Sequence, residues 1–248
     1  MAFTIAMAGK GGVGKTTLAG FMIRFLLEKD KKPILAVDAD ANANLNEVLG
    51  LRVENTVGAA REQMKRGVPA GMTKDVFMEL KIGEALVEAE GFDLLVMGRP
   101  EGEGCYCAAN TLLAGYIDKL STNYPFIVID NEAGMEHLSR LNARDVDLLL
   151  IVSDTSRRGI QAAFRIDELS RELNLIVRRR ALILNRAKSD ALDKLSEMFQ
   201  GDGLKPAGTI PEDPELEEFD FRGKPSFHLP KGNACLKAAF GLFDALVN

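Results

Sequence analysis

The chain has 248 residues, and its 31 Lys and Arg against 36 Asp and Glu give a formal net charge of −5. This acidic balance excludes a global attraction for nucleic acid or anionic lipid, and a hydrophobic fraction of 46% excludes a disordered chain. Three cysteines are too few, and odd in number, for a disulfide scaffold, which favours a reducing cytoplasm.

Short apolar runs alternate with longer mixed segments along the chain. The predicted strands are Phe3–Ala8, Pro33–Val37, Phe92–Met97, Tyr124–Ile129, Val146–Val152, Arg180–Leu184 and Pro206–Ile210. The predicted helices are Thr16–Glu28, Lys74–Glu90, Ala108–Leu120, Arg158–Leu173, Asp190–Phe199 and Ala234–Val247. This alternation predicts a three-layer α/β fold, with a mostly parallel central sheet of about seven strands and helices on both faces. Without a linker or repeat, residues 1–248 are expected to form one domain.

Two segments do not follow this alternation. Ala39–Gly71 is polar and shows only a weak helix at Val57–Arg66, and Leu216–Lys231 is predicted to be a surface loop. Both follow the ends of predicted strands, where open α/β sheets bind their ligands.

The first apolar run has no positively charged segment before it, and no apolar stretch reaches the roughly 20 residues that a membrane span needs. Arg178–Arg180 is too short to form a strong basic surface. We therefore expect a cytoplasmic protein that acts on neither a membrane nor nucleic acid.

The strongest motif lies between the first strand and the first helix. Residues 9–16 match G-x-x-x-x-G-K-[ST], the pattern of a phosphate-binding loop. Glycines let backbone N–H groups turn toward phosphate oxygens, Lys15 is placed to reach the β- and γ-phosphates, and the Thr16 hydroxyl is placed to bind Mg²⁺. The alternative is a glycine-rich turn without a ligand. The candidate ATP-binding residues of this loop are Gly11, Gly12, Val13, Gly14, Lys15, Thr16 and Thr17.

Carboxylates follow two further strands. Asp38 and Asp40 come after the second strand, and Asp130 comes directly after the fourth, the arrangement by which an apolar strand delivers a magnesium ligand. Close carboxylates repel each other unless a cation or hydrogen-bond donors lie between them, and Mg²⁺ with a polarised water meets that need. Gly134 is placed to offer its N–H group to the γ-phosphate. Acidic turns that only cap the next helix are the alternative.

Cys105 and Cys107 lie between a strand and a helix. Residues i and i+2 of an extended chain face the same side, and a helix N-terminus favours thiolate, so the pair is suited to a soft metal. Two thiolates do not complete a site, but a twofold axis supplies four, which by ligand softness suits Zn²⁺ or Cu⁺. A redox switch and two inert thiols are the alternatives. Cys235, on the apolar terminal helix, is expected to be a core side chain.

The sequence Lys-Gly-Gly-x-Gly-Lys-Thr-Thr at residues 10–17 resembles the deviant Walker A loop of the MinD/ParA-type P-loop ATPases. The resemblance implies an ATP-sandwich homodimer in which Lys10 reaches the nucleotide of the partner, Asp40 orients the attacking water and Asp38 lies near the water shell of the metal. Otherwise, Lys10 is a solvated surface charge. The catalytic residues expected on this basis are Lys10, Lys15, Asp40 and Asp130.

The same resemblance extends from Ile5 to about Pro230. It implies that Asn185 reads adenine, with Arg186 beside it and Pro211 packed near the base, although an Asn after a strand is also a common turn residue. Cys-x-Cys and Asp-x-Glu-Ala-Gly resemble the CooC/AcsF nickel-insertion ATPases, which serve carbon monoxide dehydrogenase or acetyl-CoA synthase. This implies Ni²⁺ at the dimer interface, in place of the Zn²⁺ that ligand softness favours, and a client apoenzyme as partner.

Four functions are compatible with these motifs. The first is a metallochaperone ATPase that assembles its metal site when ATP closes the dimer. The second is a partitioning or division-site ATPase that acts on DNA or a membrane. The third is an iron–sulfur electron donor like the nitrogenase iron protein, although no Cys lies directly after Asp130–Gly134 here. The fourth is an ATP-gated adaptor with negligible turnover.

Overall fold

The computed structural model describes residues 2–99, 106–132, 145–172, 176–188, 190–199 and 203–247. Within them, the strands are β1 (Phe3–Gly9), β2 (Ile34–Asp38), β3 (Val87–Ala89), β4 (Phe92–Val96), β5 (Phe126–Asp130), β6 (Asp145–Ser153), β7 (Ile176–Ala187) and β8 (Pro206–Pro211). The helices are α1 (Lys15–Glu28), α2 (Leu45–Leu49), α3 (Val57–Arg66), α4 (Lys74–Ala85), α5 (Tyr106–Leu120), α6 (Arg157–Glu172), α7 (Ala191–Leu195), α8 (Pro214–Phe221) and α9 (Ala234–Val247). Short 3₁₀ turns lie at Ser121–Asn123, Ser196–Phe199 and Ser226–His228.

The strands of these described ranges form one eight-stranded sheet in the order β3-β4-β2-β5-β1-β6-β7-β8. Every neighbouring pair is parallel except β3 and β4. In the register, Asp130 lies beside Met7 of β1 and beside Asp38 of β2, so the carboxyl ends of β1, β2 and β5 meet at one edge. The α/β fold with a mostly parallel sheet is confirmed, with one strand more than the predicted seven.

Apolar side chains cover both faces of the sheet. On one face α1 and α9 pack together, with the rings of Phe25 and Phe243 5.8 Å apart in an edge arrangement. On the other face Tyr116 of α5 and Ile160 of α6 pack against strand residues such as Ile129. Strands covered on both sides must be apolar at successive positions, which explains their runs of Ile, Leu and Val. No helix in the described part of the chain has the length and apolar character needed to cross a bilayer.

The helix predicted over Lys74–Glu90 is wrong in its last residues. The observed helix ends at Ala85, and Val87–Ala89 forms β3, which runs antiparallel to β4. Gly91, with φ +80°, forms the tight connection between the two strands. Pairing with β4 outweighs the helical propensity of this segment, because Val87 and Ala89 gain packing against the sheet core.

Leu216–Lys231 is not the predicted loop throughout, because it begins within α8 and later forms the turn Ser226–His228. Asp213 caps α8 and Pro214 occupies its first turn, which is a typical sequence pattern for the start of a helix. The many charged residues of this segment led to the prediction of a loop instead. In Ala39–Gly71, the weak helix at Val57–Arg66 is confirmed as α3.

Candidate functional site

The loop between β1 and α1 wraps tightly because two of its glycines leave no room for a side chain. A Cβ atom at Gly9 would lie 2.3 Å from the carbonyl oxygen of Val152. Gly14 caps α1 in the left-handed region at φ +94°, where a Cβ would lie 2.3 Å from the amide nitrogen of Asn185. The helix then begins with a 3.0 Å hydrogen bond from Leu18 N–H to the Gly14 carbonyl. The first turn of α1 therefore directs its N–H groups toward this loop.

Lys15 is buried in the first turn of α1, with 7% of its surface exposed. Its Nζ donates to the Lys10 carbonyl at 3.3 Å, which folds the side chain back over the loop. Burial lowers the pKa of Lys15, and the charges of Asp130, Asp40 and Glu132 oppose that shift. A desolvated ammonium inside a glycine loop is suited to bind phosphate oxygens.

Thr16 and Asp130 come together below the loop. Thr16 lies beside the Asp130 carboxylate, which is 1% exposed, and favours its charged form. Burial raises the pKa of Asp130 to about 7, and the Asp38 and Asp40 charges act in the same direction, against Thr16 and Lys15. The Oδ1 atom of Asp130 is buried without a hydrogen-bond partner among the described residues. An unpaired carboxylate oxygen beside a hydroxyl is the oxygen set that Mg²⁺ prefers, so these residues fit the ion.

Asp38 supports the loop that follows β2. It is fully buried, and its two oxygens accept hydrogen bonds from the N–H groups of Asp40 at 3.0 Å and Leu45 at 2.9 Å. Burial raises the pKa of Asp38 to about 6, although these hydrogen bonds oppose the shift. Asp40 accepts a 2.8 Å hydrogen bond from Asn42 N–H, in a turn where Ala43 has φ +53°. Asp38 thus holds the start of α2, while Asp40 is partly exposed.

Asn185 joins the end of β7 to the phosphate loop. Its Nδ2 atom donates to the carbonyl of Val13 at 2.8 Å, and 7% of the residue is exposed. An amide nitrogen carries two hydrogens, so this contact leaves one for another acceptor. Arg186 follows with φ +53°, where the register between β7 and β8 is irregular, and Pro211 ends β8.

One cavity of about 880 Å³ connects these elements. It is lined by the predicted residues Gly11, Gly12, Gly14, Lys15, Thr16, Thr17, Asp40, Asn185, Arg186 and Pro211. Val13, Asp38 and Asp130 are buried next to this wall, and Lys10 is exposed on the loop. The structure therefore brings the predicted phosphate-side and base-side residues into one site.

The predicted soft-metal residues cannot be placed in the same way. Cys105 and Gly134 lie outside the described residues, as does the side chain of Cys107, whose backbone belongs to the first turn of α5. Within the described ranges, no group of three or more His, Cys, Asp and Glu side chains could hold a metal ion. The metal site thus stays a prediction.

The sequence placed Ala39–Gly71 and Leu216–Lys231 at the ligand-binding edge but did not identify the side chains of the second wall of the cavity, which α2, α8 and the segments beside them provide. Its polar members are Asn44, Asn46, Glu47, Glu212, Asp213, Glu217, Asp220, Lys224 and Ser226. Asp213 organises this wall, because its carboxylate accepts hydrogen bonds from Leu216 N–H at 3.0 Å, Asn233 Nδ2 at 3.0 Å and Cys235 N–H at 3.3 Å. One carboxylate therefore satisfies the first turns of both α8 and α9.

Cys235 also borders the cavity, but it is 1% exposed and belongs to the core, as predicted. Burial, with a smaller contribution from the Asp213 charge, raises the pKa of its thiol to about 12. The thiol is therefore protonated at neutral pH and is a poor metal ligand.

Comparisons with known proteins agree with this fold and with nucleotide binding. The family model described as the CobQ/CobB/MinD/ParA nucleotide-binding domain matches residues 4–227. An uncharacterised ATP-binding protein of Methanocaldococcus jannaschii is 42% identical over 98% of each chain. The carbon monoxide dehydrogenase accessory protein CooC of Rhodospirillum rubrum is 30% identical over 98% of this chain and 95% of its own. The MinC:MinD cell division protein complex of Aquifex aeolicus matches with a TM-score of 0.72 and 26% identity, over 99% of this chain and 96% of that one.

Proposed function

Because this chain belongs to the CobQ/CobB/MinD/ParA nucleotide-binding domain family, we propose that it is a homodimeric ATPase that delivers nickel to an apoenzyme. The client proposed is carbon monoxide dehydrogenase or acetyl-CoA synthase. The observation that carries this choice is the similarity to CooC, a carbon monoxide dehydrogenase accessory protein, along almost the whole of both chains.

The proposed reaction is attack of water on the γ-phosphorus of ATP, with release of ADP and phosphate. Lys15 binds the β- and γ-phosphate oxygens, and Asp40 orients the water. Thr16 and Asp130 hold Mg²⁺, which when bound neutralises charge on the phosphates. Lys10 is exposed on the loop, and a second copy of the chain is the partner whose nucleotide it reaches.

Nickel is the proposed cargo, carried between two copies of Cys105 and Cys107. ATP binding closes the dimer and brings the four thiolates together, and hydrolysis opens it and releases the metal. Four thiolates also suit Zn²⁺, so the metal that the dimer carries has to be measured.

Metal analysis of the dimer with and without ATP tests this function. We expect about one nickel ion per dimer, since four thiolates complete one site. The double variant Cys105→Ala/Cys107→Ala should lose the metal and keep its ATPase activity, whereas Cys235→Ala, as the matched cysteine control, should keep the metal. Equal nickel binding by the double variant and the parent would refute the proposal. Transfer to each of the two apoenzymes then identifies the client.

A partitioning or division-site ATPase is the second candidate, favoured by the likeness to the MinC:MinD complex. The packing of α9 argues against it, because Leu236, Ala239 and Phe243 lie in the core rather than on a lipid-binding face. Binding to anionic liposomes or salt-sensitive binding to DNA would favour this candidate over the first.

A further inference from the structure

A short strap, residues 224–229, closes the cavity at a distance from the phosphate loop. Arg24 of α1 holds it, donating from Nη1 to the carbonyls of Phe227 at 2.9 Å and Leu229 at 2.6 Å. Arg24 follows Lys15 by nine residues, which is about 14 Å along a helix. The strap is therefore anchored about 14 Å further along α1 than the residue proposed to bind the phosphates.

The strap is fixed from a second side by the end of α2. Gly50 ends α2 in the left-handed region, and a Cβ atom there would lie 2.8 Å from Cγ of Pro225. Pro225 lies directly before Ser226, and Phe227, whose carbonyl oxygen accepts the hydrogen bond from Arg24, lies directly after Ser226. Ser226 is thus held between two anchored positions, so its side chain has a defined place in the wall of the cavity.

Ser226 is 7% exposed and lines the cavity, yet its Oγ atom has no hydrogen-bond partner in the described part of the chain. Buried hydroxyls are ordinarily paired, because an unpaired one loses its water without compensation. Ser170 shows the ordinary case, since its Oγ donates to the Asp167 carbonyl at 2.7 Å and accepts from Arg180 Nε at 3.0 Å. Ser226 is therefore the buried hydroxyl of this wall for which a ligand would supply the missing partner.

We propose that Ser226 is a nucleoside-contacting residue, whose hydroxyl turns about its single side-chain torsion to hydrogen-bond the sugar or the base of the bound nucleotide. This inference rests on the proposed binding of ATP. One cavity connects the phosphate loop, the base-side residues Asn185 and Pro211, and Ser226. The nucleoside is therefore the part of an ATP bound at the loop that can extend toward the strap. Arg24 is then a positioning residue, because it acts on the ligand only through the strap.

Isothermal titration calorimetry with ATP and Mg²⁺ tests the proposal on the full chain, its Ser226→Ala variant and Ser170→Ala as the matched buried-serine control. We expect Ser226→Ala to weaken ATP binding about fivefold, the value of one neutral hydrogen bond. Its melting temperature without nucleotide should not fall, since no protein hydrogen bond is removed. Ser170→Ala should show the reverse, a lower melting temperature with unchanged affinity.

Titrations with 2′-deoxy-ATP, 3′-deoxy-ATP and ITP then locate the contact. The analogue that lacks the contacted group should bind the parent and Ser226→Ala equally, whereas the others keep the fivefold difference. ATP binding that is unchanged in Ser226→Ala would overturn the inference, as would a melting temperature that falls together with the affinity. A parent protein that does not bind ATP would instead overturn the proposed function.

Discussion

The two ends of the cavity use buried carboxylates in opposite ways. Asp130, at the phosphate end, is 1% exposed and has one oxygen without a hydrogen-bond partner among the residues that the structure describes. Burial raises its pKa to about 7. Asp213, at the other end, is 8% exposed, and although burial alone would raise its pKa, hydrogen bonds from Leu216, Asn233 and Cys235 lower it. Both carboxylates are little exposed, but they have different hydrogen-bond donors. One is therefore suited to bind a cation, and the other stabilises the scaffold.

The largest effect should follow from removing the charge at the phosphate end. Asp130→Asn keeps the shape of the side chain but removes a ligand of Mg²⁺, so we expect the rate of ATP hydrolysis to fall about 100-fold or more. Release of phosphate measures this rate. Asp145→Asn is the control, because Asp145 is exposed at the opposite end of β6 and should leave the rate unchanged. A loss of less than tenfold would show that Asp130 does not serve the metal.

The next largest effect should come from the scaffold carboxylate. Asp213→Ala removes the cap of α8, the hydrogen bond to Cys235 N–H and the partner of Asn233, so we expect the free energy of unfolding to fall by about 3 kcal/mol. Urea unfolding at pH 7 measures this change. The neighbouring exposed residue provides the control as Glu212→Ala, which should stay within about 0.5 kcal/mol of the parent. Equal losses in the two variants would contradict the capping role.

The pH dependence of stability separates the two carboxylates further. The raised pKa of Asp130 means that the folded, ligand-free protein holds a proton that the unfolded chain has lost, so stability falls as pH rises from about 4 through 7. The lowered pKa of Asp213 has the opposite sign, and its contribution is lost only as pH falls below the ordinary range of Asp. Without Mg²⁺ and nucleotide, the free energy of unfolding of Asp130→Asn should therefore rise by about 2 kcal/mol relative to that of the parent between pH 5 and pH 8.

Urea unfolding of both proteins at the two pH values measures this gain, and Asp145→Asn serves as the control with no gain. Repeating the series with Mg²⁺ and ATP should reduce the difference, because a cation favours the charged form of Asp130. If the two proteins differ by the same free energy of unfolding at both pH values, the burial of the Asp130 carboxylate does not destabilise its charged form.

The sequence predicts the phosphate end better than the other end, for a physical reason. Residues 9–17 act as a contiguous loop whose glycines, Lys15 and Thr16 can be read from their spacing, and the apolar runs around it identify buried strands. The role of Asp213 depends on Asn233 and Cys235, 20 and 22 residues further along, which no local pattern connects. β3 was missed for the same reason, since three residues become a strand only by pairing with β4.

Asp38 is intermediate between the two ends and should give the smallest effect. Its pKa is raised to about 6 by burial, as at Asp130, yet both of its oxygens accept backbone hydrogen bonds, as at Asp213. Asp38→Asn loses one of these hydrogen bonds but also removes a desolvated charge, so we expect the free energy of unfolding to stay within about 1 kcal/mol of the parent at pH 8. A loss near that of Asp213→Ala would place Asp38 with the scaffold, and a gain near that of Asp130→Asn would place it with the cation site.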